Sequence, residues 1–470
     1  MRLLRTMLAV TFHLVGFVSL TGAAPPQATQ GPAKGKATGP AKAAPAPTKA
    51  APVAPPPPLF AIVQSGKWGF MDRTGKVVVP PQFDEPSFFF HSELAQVKIG
   101  EKYGLIDRTG KLVSPIEFLE VSCNLEVCAA VKVKKGDGEA WGFVGRDGKL
   151  VGPAIFDEIY PVSKGLSVMA QNGKYGFADG NGRIVVPAKY DEVQTGTDSD
   201  FPGVRIGEKW GMVDPRGKVV IPVEYDSIIY GGFSEGMARV KSGGKWGFYS
   251  NLGRLAIPAK YDAVLEFSQG LAAVRIGNKW GFIDKTGAMA IPAEYESALW
   301  FGEGLVAVMI GGKMGYIDKT KKVIIPPTFD RAGKFCKGFT SVETGGKTGT
   351  IDKTGKFIIP AAYDYMHYDC DTVLEDGAVV AVGKLYGIVD AATGKVRTQP
   401  RFNNMEGGYT DGLLGVQYGD KWGFIDKTGA MVIAPQFDGG STFEGGLASV
   451  TLDGKMAYID TKGRVVWKEE

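Results

Sequence analysis

Short apolar segments alternate with turn residues along most of the chain, and the whole pattern returns after about 35 residues. In the copy that begins at Leu271, residues 271–276 form one apolar segment, and Gly277-Asn278 follows as a two-residue hairpin turn. Residues 279–283 form a second apolar segment of similar length. The pattern predicts two short strands joined as a β-hairpin.

A second turn and a third segment complete the copy. Asp284 and Gly287 stand at the first and last positions of a type I turn, where these residue types are preferred. Residues 288–291 form the third strand, and Pro292, which has no N–H to donate to a neighbouring strand, is expected to end it. Each copy is therefore predicted to be a three-stranded antiparallel meander.

A glycine after the aromatic residue of the second strand marks every copy but one. It recurs at intervals of 34–38 residues, as Gly69, Gly104, Gly142, Gly176, Gly211, Gly247, Gly281, Gly315, Gly349, Gly387 and Gly423, with Ala457 in the twelfth copy. The length of 470 residues alone would suggest about three domains. The regular period instead predicts one repeat array.

Large aromatic residues precede most of these glycines, as Trp68, Tyr103, Trp141, Tyr175, Trp210, Trp246, Trp280, Tyr386 and Trp422. A sheet of three short strands cannot bury such a ring by itself, so neighbouring copies are expected to stack. The fold class predicted is all-β, a tandem array of about twelve three-stranded meanders. Propeller blades usually have four strands in about 40–50 residues, so both an open superhelical array and a propeller-like ring stay possible.

The repeated phrase Lys-Trp-Gly-Phe-Met-Asp at 67–72, with Gly-Lys-Val-Val-Val-Pro at 75–80 and Phe-Asp at 83–84, resembles the bacterial WG-repeat family. The resemblance covers residues 60–470. It implies a secreted or envelope-associated all-β repeat protein, and the family has no catalytic residues to carry over. The sequence departs from the pattern at Met314, Thr348 and Met456, which replace the ring, and at Lys321, which replaces the turn glycine.

The N-terminal segment has the features of an export signal. Arg2 and Arg5 precede an uncharged apolar run over 6–20, and small residues follow, so residues 1–23 are predicted to be a cleaved signal peptide. The apolar run is shorter than the roughly 20 residues of a membrane-spanning helix, although an uncleaved anchor stays the alternative. We therefore expect a secreted or periplasmic protein with no transmembrane segment after cleavage.

Residues 24–58 form a Pro/Ala/Lys-rich segment with 11 of the 28 prolines, and they are expected to be a disordered linker before the repeat region at 59–470. The formal net charge of the chain is +4. Residues 1–58 contribute six basic residues and no acid, so residues 59–470 carry a formal net charge of −2. The repeat region is thus close to neutral. A near-neutral region argues against nucleic-acid binding, which needs a clustered basic surface.

Two rows of carboxylates recur through the copies. One row lies at the type I turn, as Asp72, Asp107, Asp179, Asp214, Asp284, Asp318, Asp352, Asp426 and Asp460; the second closes the unit, as Asp84, Asp157, Asp191, Asp226, Asp262, Asp330, Asp364 and Asp438. Asp at turns accepts local backbone N–H bonds, so a structural role is expected for both rows. No catalytic residue, metal ligand or cofactor site is predicted.

Function is expected where the copies differ, chiefly in inserted loops. The loop at 363–380 combines aromatic, acidic and imidazole side chains and is a candidate ligand site, with Tyr365, His367, Tyr368, Asp369 and Asp371. A loop that merely packs on its own aromatic rings is the alternative.

Four cysteines occur in a chain expected to reach an oxidising compartment. Cys336 and Cys370 occupy equivalent positions one copy apart, so they are predicted to form a disulfide if equivalent loops lie side by side. Cys123 and Cys128 would then pair locally. Four separate thiols remain the alternative.

These features favour an exported, non-enzymatic repeat scaffold that binds a protein or a glycan. The alternatives are an envelope carbohydrate-active hydrolase that uses loop carboxylates, and a purely structural envelope protein. A hydrolase would require two carboxylates about 5–10 Å apart in one cleft.

Overall fold

The computed structural model describes residues 58–86, 94–122, 129–145, 147–161, 166–179, 182–195, 201–229, 232–367, 377–440 and 442–470. Within these ranges every regular element is a β-strand, which confirms the all-β prediction. The strands form twelve antiparallel sheets of three or four strands, one for each copy of the sequence unit.

We number the sheets 1 to 12 along the chain. In spatial order, a complete sheet has an opening strand, a first and a second hairpin strand, and an edge strand. The opening strands of sheets 2 to 12 are Glu85–Pro86, Glu120–Ser122, Glu158–Pro161, Glu192–Gln194, Ser227–Ile228, Ala263–Val264, Ser297–Ala298, Arg331–Ala332, Tyr365–His367, Asn404–Thr410 and Gly439–Gly440.

The hairpin strands are present in all twelve sheets. The first hairpin strands are Phe60–Gln64, Leu94–Ile99, Ala129–Lys135, Leu166–Gln171, Gly203–Ile206, Met237–Ser242, Leu271–Ile276, Leu305–Ile310, Phe339–Thr344, Ala378–Val382, Leu413–Tyr418 and Leu447–Leu452. The second hairpin strands are Lys67–Met71, Lys102–Asp107, Gly138–Val144, Lys174–Asp179, Lys209–Val213, Lys245–Ser250, Lys279–Asp284, Lys313–Asp318, Lys347–Asp352, Leu385–Val389, Lys421–Asp426 and Lys455–Asp460.

Edge strands complete sheet 1 and sheets 4 to 12. They are Val77–Phe83, Ile184–Tyr190, Val219–Tyr225, Arg254–Tyr261, Met289–Tyr295, Val323–Phe329, Phe357–Tyr363, Val396–Phe402, Met431–Phe437 and Val465–Lys468. In sheets 2 and 3 this position is held by isolated bridges, Tyr103 with Phe118, Ile106 with Leu112, Trp141 with Phe156, and Val144 with Leu150.

The opening strand is a fourth strand that the sequence pattern does not predict. In sheet 7 it consists of Ala263 and Val264 only, which pair with Arg275 and Val274. Two residues are too few to show an alternating pattern. This strand forms because the chain leaving the edge of one sheet runs directly alongside the first hairpin strand of the next.

The proline of each unit does not end the third strand, contrary to the sequence expectation. In sheet 7 the edge strand continues through Pro292 to Tyr295, and the pairing register shifts between Phe282, opposite Ile291, and Trp280, opposite Tyr295. The proline therefore lies in a bulge, where its missing N–H breaks no ladder bond.

The anchor glycine makes room for this bulge. A Cβ atom at Gly281 would lie 2.6 Å from the carbonyl oxygen of Ile291 and 2.7 Å from the nitrogen of Ala293. Sheet 12 has neither the proline nor the bulge opposite the anchor position. Its edge strand lacks the proline, and Ala457 pairs with Lys468 without a register shift before the next pair. Alanine is tolerated in the twelfth copy because no bulge presses against it.

The hydrophobic cores lie between neighbouring sheets. Phe282, Ile291 and Tyr295 of sheet 7 pack against Phe301, Val306 and Val308 at sheet 8. The rings of Phe282 and Phe301 meet edge to face, with centroids 5.2 Å apart. The same contact joins other neighbours, as Phe248 with Phe267, Tyr316 with Phe335, and Phe424 with Phe443. One unit thus supplies only half of each core.

The residue before the anchor glycine is partly buried in most copies, although Trp141 and Trp422 are buried. Trp246 is only partly buried beside the cluster that contains fully buried Phe248. A cation from the first hairpin strand covers one side of the ring, since Lys241 pairs across from Trp246 with its Nζ 5.7 Å from the ring centroid. The fully buried ring of the unit is therefore the residue after the anchor glycine rather than the one before it.

The first and last sheets close the array into a propeller-like ring. Phe60, Ile62 and Met71 of sheet 1 form one cluster with Leu447 and Tyr458 of sheet 12. The Tyr458 hydroxyl donates a hydrogen bond to the carbonyl oxygen of Ala61 at 3.0 Å. Of the two arrangements that the sequence left open, the structure has the ring.

The type I turns share one left-handed position. Gly287 has φ of 85° there, and Lys321 in sheet 8 has φ of 72° at the equivalent place. An L-residue is less stable than glycine in this conformation by about 1 kcal/mol.

The substitution Lys321→Gly is expected to raise the free energy of unfolding by about 0.5–1 kcal/mol. The ion pair of Lys321 with Glu294 that would be lost is exposed, so it offsets little of this gain. Urea denaturation measures the change, with Lys322→Gly beside the turn as the control. Lower stability of Lys321→Gly would contradict the strain argument.

Candidate functional site

The first carboxylate row holds the type I turns together. Oδ1 of Asp284 accepts hydrogen bonds from the backbone N–H and the hydroxyl of Thr286, at 2.8 and 2.6 Å, and from the N–H of Ala288 at 3.1 Å. These donors, led by the Thr286 hydroxyl, lower the pKa of Asp284. Asp72, Asp107, Asp318, Asp352 and Asp426 make the same contacts.

The second carboxylate row connects neighbouring sheets. Asp262 follows the edge strand of sheet 6, accepts a hydrogen bond from Lys245 of the same sheet, and accepts another at 2.8 Å from the N–H of Gly277 in the hairpin of sheet 7. The Lys245 ammonium chiefly lowers the pKa of Asp262. Both oxygens of the Asp262 carboxylate thus make structural hydrogen bonds, which agrees with the structural role expected from the sequence.

The same two hydrogen bonds to one aspartate, from a lysine of its own sheet and from a hairpin glycine of the next sheet, recur around the ring. The residues are Asp84 with Lys67 and Gly100, Asp191 with Lys174 and Gly207, Asp226 with Lys209 and Gly244, Asp330 with Lys313 and Gly345, Asp364 with Lys347 and Gly383, and Asp438 with Lys421 and Gly454. Glu296 and Asn403 replace the aspartate in two further copies, and each still binds a hairpin glycine N–H.

The lowered pKa values of aspartates in these rows make the stability of the ring depend on pH. At the turn of sheet 10, the hydroxyl of Thr393 leads the groups that lower the pKa of Asp390 to about 2, and the pKa values of the turn residues Asp284 and Asp318 are lowered as well. A carboxyl whose folded pKa is depressed stabilises the fold above its unfolded pKa, and this stabilisation is lost as the pH falls through the folded pKa.

We therefore expect the melting temperature to fall as the pH drops from about 4 to about 2, and to change little between pH 7 and 5. Calorimetry over this range measures it. The variant Asp390→Asn should show a smaller fall, because it removes the most strongly shifted carboxyl. A melting temperature that stays constant down to pH 2 would contradict the role given to the rows.

The predicted ligand loop lies at the opening strand of sheet 10. Tyr365 begins this strand and is 49% exposed, and the strand ends at His367. Tyr368, Asp369 and Asp371 lie outside the described residues. Of the five candidate residues, the structure therefore positions the side chain of Tyr365.

Pairing between strands brings Tyr365 into a row that the sequence analysis missed. Tyr365 lies opposite Ala381 of the first hairpin strand, and Ala381 lies opposite Tyr386 of the second. Directly opposite residues of neighbouring strands point to the same face of a sheet. Sheet 10 therefore presents an aromatic row on one face: exposed Tyr365, buried Ala381 and partly buried Tyr386.

Other sheets fill this row differently. In sheet 7 the equivalent residues are Ala263, Arg275 and Trp280, and the Arg275 guanidinium lies 5.9 Å from the centre of the indole ring. Sheet 10 replaces that cation by Ala381, so no long side chain from this position covers the ring of Tyr386. The signal in the sequence is the small residue at 381, where sheets 5, 6 and 7 have Arg205, Lys241 and Arg275.

Cys336 is disulfide-bonded. Cys123, Cys128 and Cys370 lie outside the described residues, so the pairing of Cys336 with Cys370 and that of Cys123 with Cys128 stay predictions. Cys336 stands just before the first hairpin strand of sheet 9, where it pairs with Phe339.

Neither a metal cluster nor a membrane helix occurs in the parts of the chain that the structure describes. Among those residues, His, Cys, Asp and Glu side chains nowhere gather in groups of three or more that could hold a metal ion. No helix there is long and apolar enough to cross a membrane.

Comparison with solved structures returns several chains at low similarity. The crystal structure of a eukaryotic initiation factor matches at 12% identity with a TM-score of 0.37, covering 74% of this chain and 96% of that one. The extracellular domain of a hybrid two-component system from B. thetaiotaomicron matches at 10% identity with a TM-score of 0.25, covering 81% and 72%. Kluyveromyces lactis Hsv2 matches at 8% identity with a TM-score of 0.28, covering 53% and 91%.

Comparison with sequences is more decisive. No curated protein matches the chain. The family model described as WG containing repeat matches eleven segments, at 68–103, 103–134, 141–175, 175–210, 210–246, 246–280, 280–313, 314–347, 349–369, 386–422 and 422–455. These segments cover most of the twelve-sheet ring, and nine of the eleven begin at the aromatic residue before the anchor glycine. The chain belongs to the WG containing repeat family.

Proposed function

We propose that this protein is an exported, non-enzymatic repeat scaffold, and that the aromatic row of sheet 10 binds a glycan of the bacterial envelope. The single observation that carries the proposal is the arrangement of Tyr365, Ala381 and Tyr386 across three adjacent strands. Neighbouring strands lie about 4.8 Å apart, so the two tyrosines are spaced by roughly 10 Å, close to the length of a disaccharide.

The chemistry of this row suits a sugar. Tyrosine combines an apolar ring face, which packs on the C–H face of a pyranose, with a hydroxyl that bonds to sugar hydroxyls. The buried Ala381 between the two rings leaves a shallow trough rather than a ridge. A protein partner is the second candidate, and the exposed side chains of Val382 and Leu385 next to the row would suit it.

The non-enzymatic part of the proposal rests on the carboxylates. Turn N–H groups, hydroxyls or lysines engage aspartates of both rows, and they lower the pKa values of members such as Asp284 and Asp262. A glycosidase needs one carboxyl with a raised pKa as the general acid. Asp369 and Asp371, the loop carboxylates of the hydrolase alternative, lie outside the described residues.

Titration calorimetry on the full chain tests the proposal by measuring its affinity for chitotetraose and for soluble peptidoglycan fragments. The substitution Tyr365→Ala should weaken binding by about 0.5–1.5 kcal/mol, up to roughly tenfold. Tyr160→Ala is the matched control, since Tyr160 lies in the opening strand of sheet 4 and is similarly exposed.

Two results would overturn the proposal. Equal loss of affinity in Tyr160→Ala and Tyr365→Ala would remove the role of the sheet 10 row. Release of reducing ends from the same oligosaccharides by the unmodified protein would indicate the hydrolase instead.

A further inference from the structure

Three sheets hold a cation between a glutamate and an aromatic ring. In sheet 2, Lys98 lies opposite Glu85 of the opening strand and opposite Tyr103 of the second hairpin strand. Its Nζ is 2.8 Å from a carboxylate oxygen of Glu85 and 5.3 Å from the centre of the Tyr103 ring. One ammonium group thus has an ion pair on one side and a cation–π contact on the other.

Sheets 3 and 5 repeat this arrangement. In the order glutamate, cation and ring, the residues are Glu120, Lys132 and Trp141 in sheet 3, and Glu192, Arg205 and Trp210 in sheet 5. The cation lies 5.9 Å from the ring centre in sheet 3 and 5.7 Å from it in sheet 5, and each cation pairs with its glutamate. The glutamate and the ring together therefore form a recurring place for a cation.

Sheet 4 keeps the glutamate and the ring but lacks the cation. Glu158 lies opposite Ala170, and Ala170 lies opposite Tyr175. These are the positions of the glutamate, the lysine and the tyrosine in sheet 2, so the two rows differ only in the middle residue. Four opening strands of the described sheets begin with glutamate, and sheet 4 is the one in which alanine replaces the cation.

The carboxylate of Glu158 has an oxygen left for a ligand. Its Oε2 accepts a hydrogen bond from the Tyr160 hydroxyl, and no lysine or arginine in the described part of the chain pairs with it. In sheet 5, Gln194 similarly donates to Oε1 of Glu192 at 3.2 Å, while Arg205 binds Oε2. A hydrogen bond from the second residue along the strand thus leaves the carboxylate able to bind a cation.

The place of the missing cation is reached from water. The cations of sheets 2, 3 and 5 have side chains that are 19%, 28% and 30% exposed. In sheet 4 the side chain of Glu158 is exposed and that of Tyr175 is partly buried, while the small, buried Ala170 lies between them. We call the space over Ala170, between the carboxylate and the ring, the sheet 4 slot.

We propose that the sheet 4 slot binds the ammonium group of a ligand, and that this ligand is an unbranched alkylammonium such as a lysine side chain of a peptide or a free diamine. The lysine of sheet 2 makes the equivalent contacts to a glutamate and a tyrosine. A divalent metal ion fits poorly, because it needs several oxygen ligands and the slot offers one carboxylate. The proposal does not rest on the glycan site of sheet 10, where Tyr365 stands in place of the glutamate.

Ligand-observed NMR titration of the full chain tests the proposal with three probes. Nα-acetyl-lysine-N-methylamide represents a peptide lysine, 1,5-diaminopentane represents a free diamine, and Nα-acetyl-norleucine-N-methylamide is the uncharged control. A dissociation constant in the millimolar range is expected for the amines, because a single ammonium group makes few contacts. The amine that binds more tightly identifies the source of the ammonium group. The norleucine probe should bind about tenfold more weakly than the lysine probe.

Ala170→Lys is the decisive variant. It restores within the chain the cation that sheet 2 has, so its own ammonium group should fill the slot and weaken binding of the amines by about tenfold or more. Gln417→Lys is the matched control and should leave binding unchanged, since it places a lysine opposite Trp422 in a row without glutamate. The exposed substitution Glu158→Gln should weaken binding roughly fivefold.

Removing a cation from another sheet tests the same argument in reverse. Arg205→Ala leaves Glu192 and Trp210 without their cation and should create a second slot in sheet 5. The double variant Ala170→Lys with Arg205→Ala should therefore regain the amine binding that Ala170→Lys loses. Melting temperatures verify that each variant is folded.

Three results would overturn the proposal. One is a folded Ala170→Lys variant that binds the amines as tightly as the parent does. Another is equal binding of the norleucine and lysine probes, which would indicate an apolar contact instead of a cation site. The third is a folded double variant that does not regain binding. Chitotetraose has no ammonium group, so its binding reports on sheet 10 separately and Tyr160→Ala stays a control for that sugar.

Discussion

Replacing Phe248 by alanine is expected to lower the free energy of unfolding by about 3–5 kcal/mol, the range for a large ring removed from a closed core. Phe248 is fully buried between sheets 6 and 7, and its ring meets Phe267 with centroids 4.8 Å apart. The neighbouring sheets cannot collapse into the space, because each is held by its own hairpin and by a second core on its other side.

Trp246→Ala is the comparison, two residues away in the same strand. Trp246 is partly buried, and water reaches the space that its loss would open, so the change should destabilise the ring less than Phe248→Ala does. Denaturant unfolding of both variants measures the two free energies. A larger loss of unfolding free energy in Trp246→Ala than in Phe248→Ala would show that the core is centred on the tryptophan position.

Removing sheet 12 by ending the chain at Gly446 is expected to abolish cooperative unfolding near the parent melting temperature. The truncation would expose Phe60, Ile62 and Met71 of sheet 1, which pack on sheet 12. It would also uncover Phe424 and Ile433 of sheet 11. Two apolar sheet faces would then meet water, and binding of a hydrophobic dye should rise several-fold.

A circular permutant is the control for this experiment. It joins Glu470 to Pro58 through a short glycine-serine linker and begins at Gly232, so it keeps every sheet and the closure contacts while moving the chain ends. It is expected to melt close to the parent temperature. If the truncated chain melted there as well, sheets 1 and 12 would not contribute to stability through their contact.

The sequence predicts the repeating unit well because its determinants are local. The hairpin at Gly277-Asn278, the turn from Asp284 to Gly287 and the two hairpin strands depend on residues within one copy, and the structure confirms them. The period of the glycines likewise predicts the number of sheets. Membership of the WG-repeat family follows from the same local phrase.

What the sequence does not predict depends on geometry between copies. Closure of the ring requires a rotation from sheet to sheet that adds up over twelve units, and no single residue encodes that sum. The bulge at Pro292 is missed because proline in a short strand usually signals its end, whereas the opposing Gly281 lets the strand continue. The bulge is missed when one strand is interpreted without its partner, whereas the choice between ring and open array stays open because the sequence does not give the rotation between sheets.

The aromatic row of sheet 10 was only half predicted for a similar reason. Tyr365 stands out in the sequence because its loop is rich in aromatic and acidic residues. Ala381 and Tyr386 become relevant only through the cross-strand register, which pairs residues that lie 16 and 5 positions apart. A small residue in place of a cation is a weak signal until that register is known.

The chain enters the ring at the junction of sheets 1 and 12, and this position determines how the protein responds to mechanical force. Pro58 lies so close to Gly445 that a Cβ atom there would come within 2.5 Å of the proline ring. Tension applied through the preceding residues would therefore load the junction of sheets 1 and 12, where no peptide bond continues from one sheet to the next. Sheet 1 would peel away strand by strand, while the eleven junctions with covalent continuity stay shielded. The weakest mechanical element of the ring is thus its point of closure.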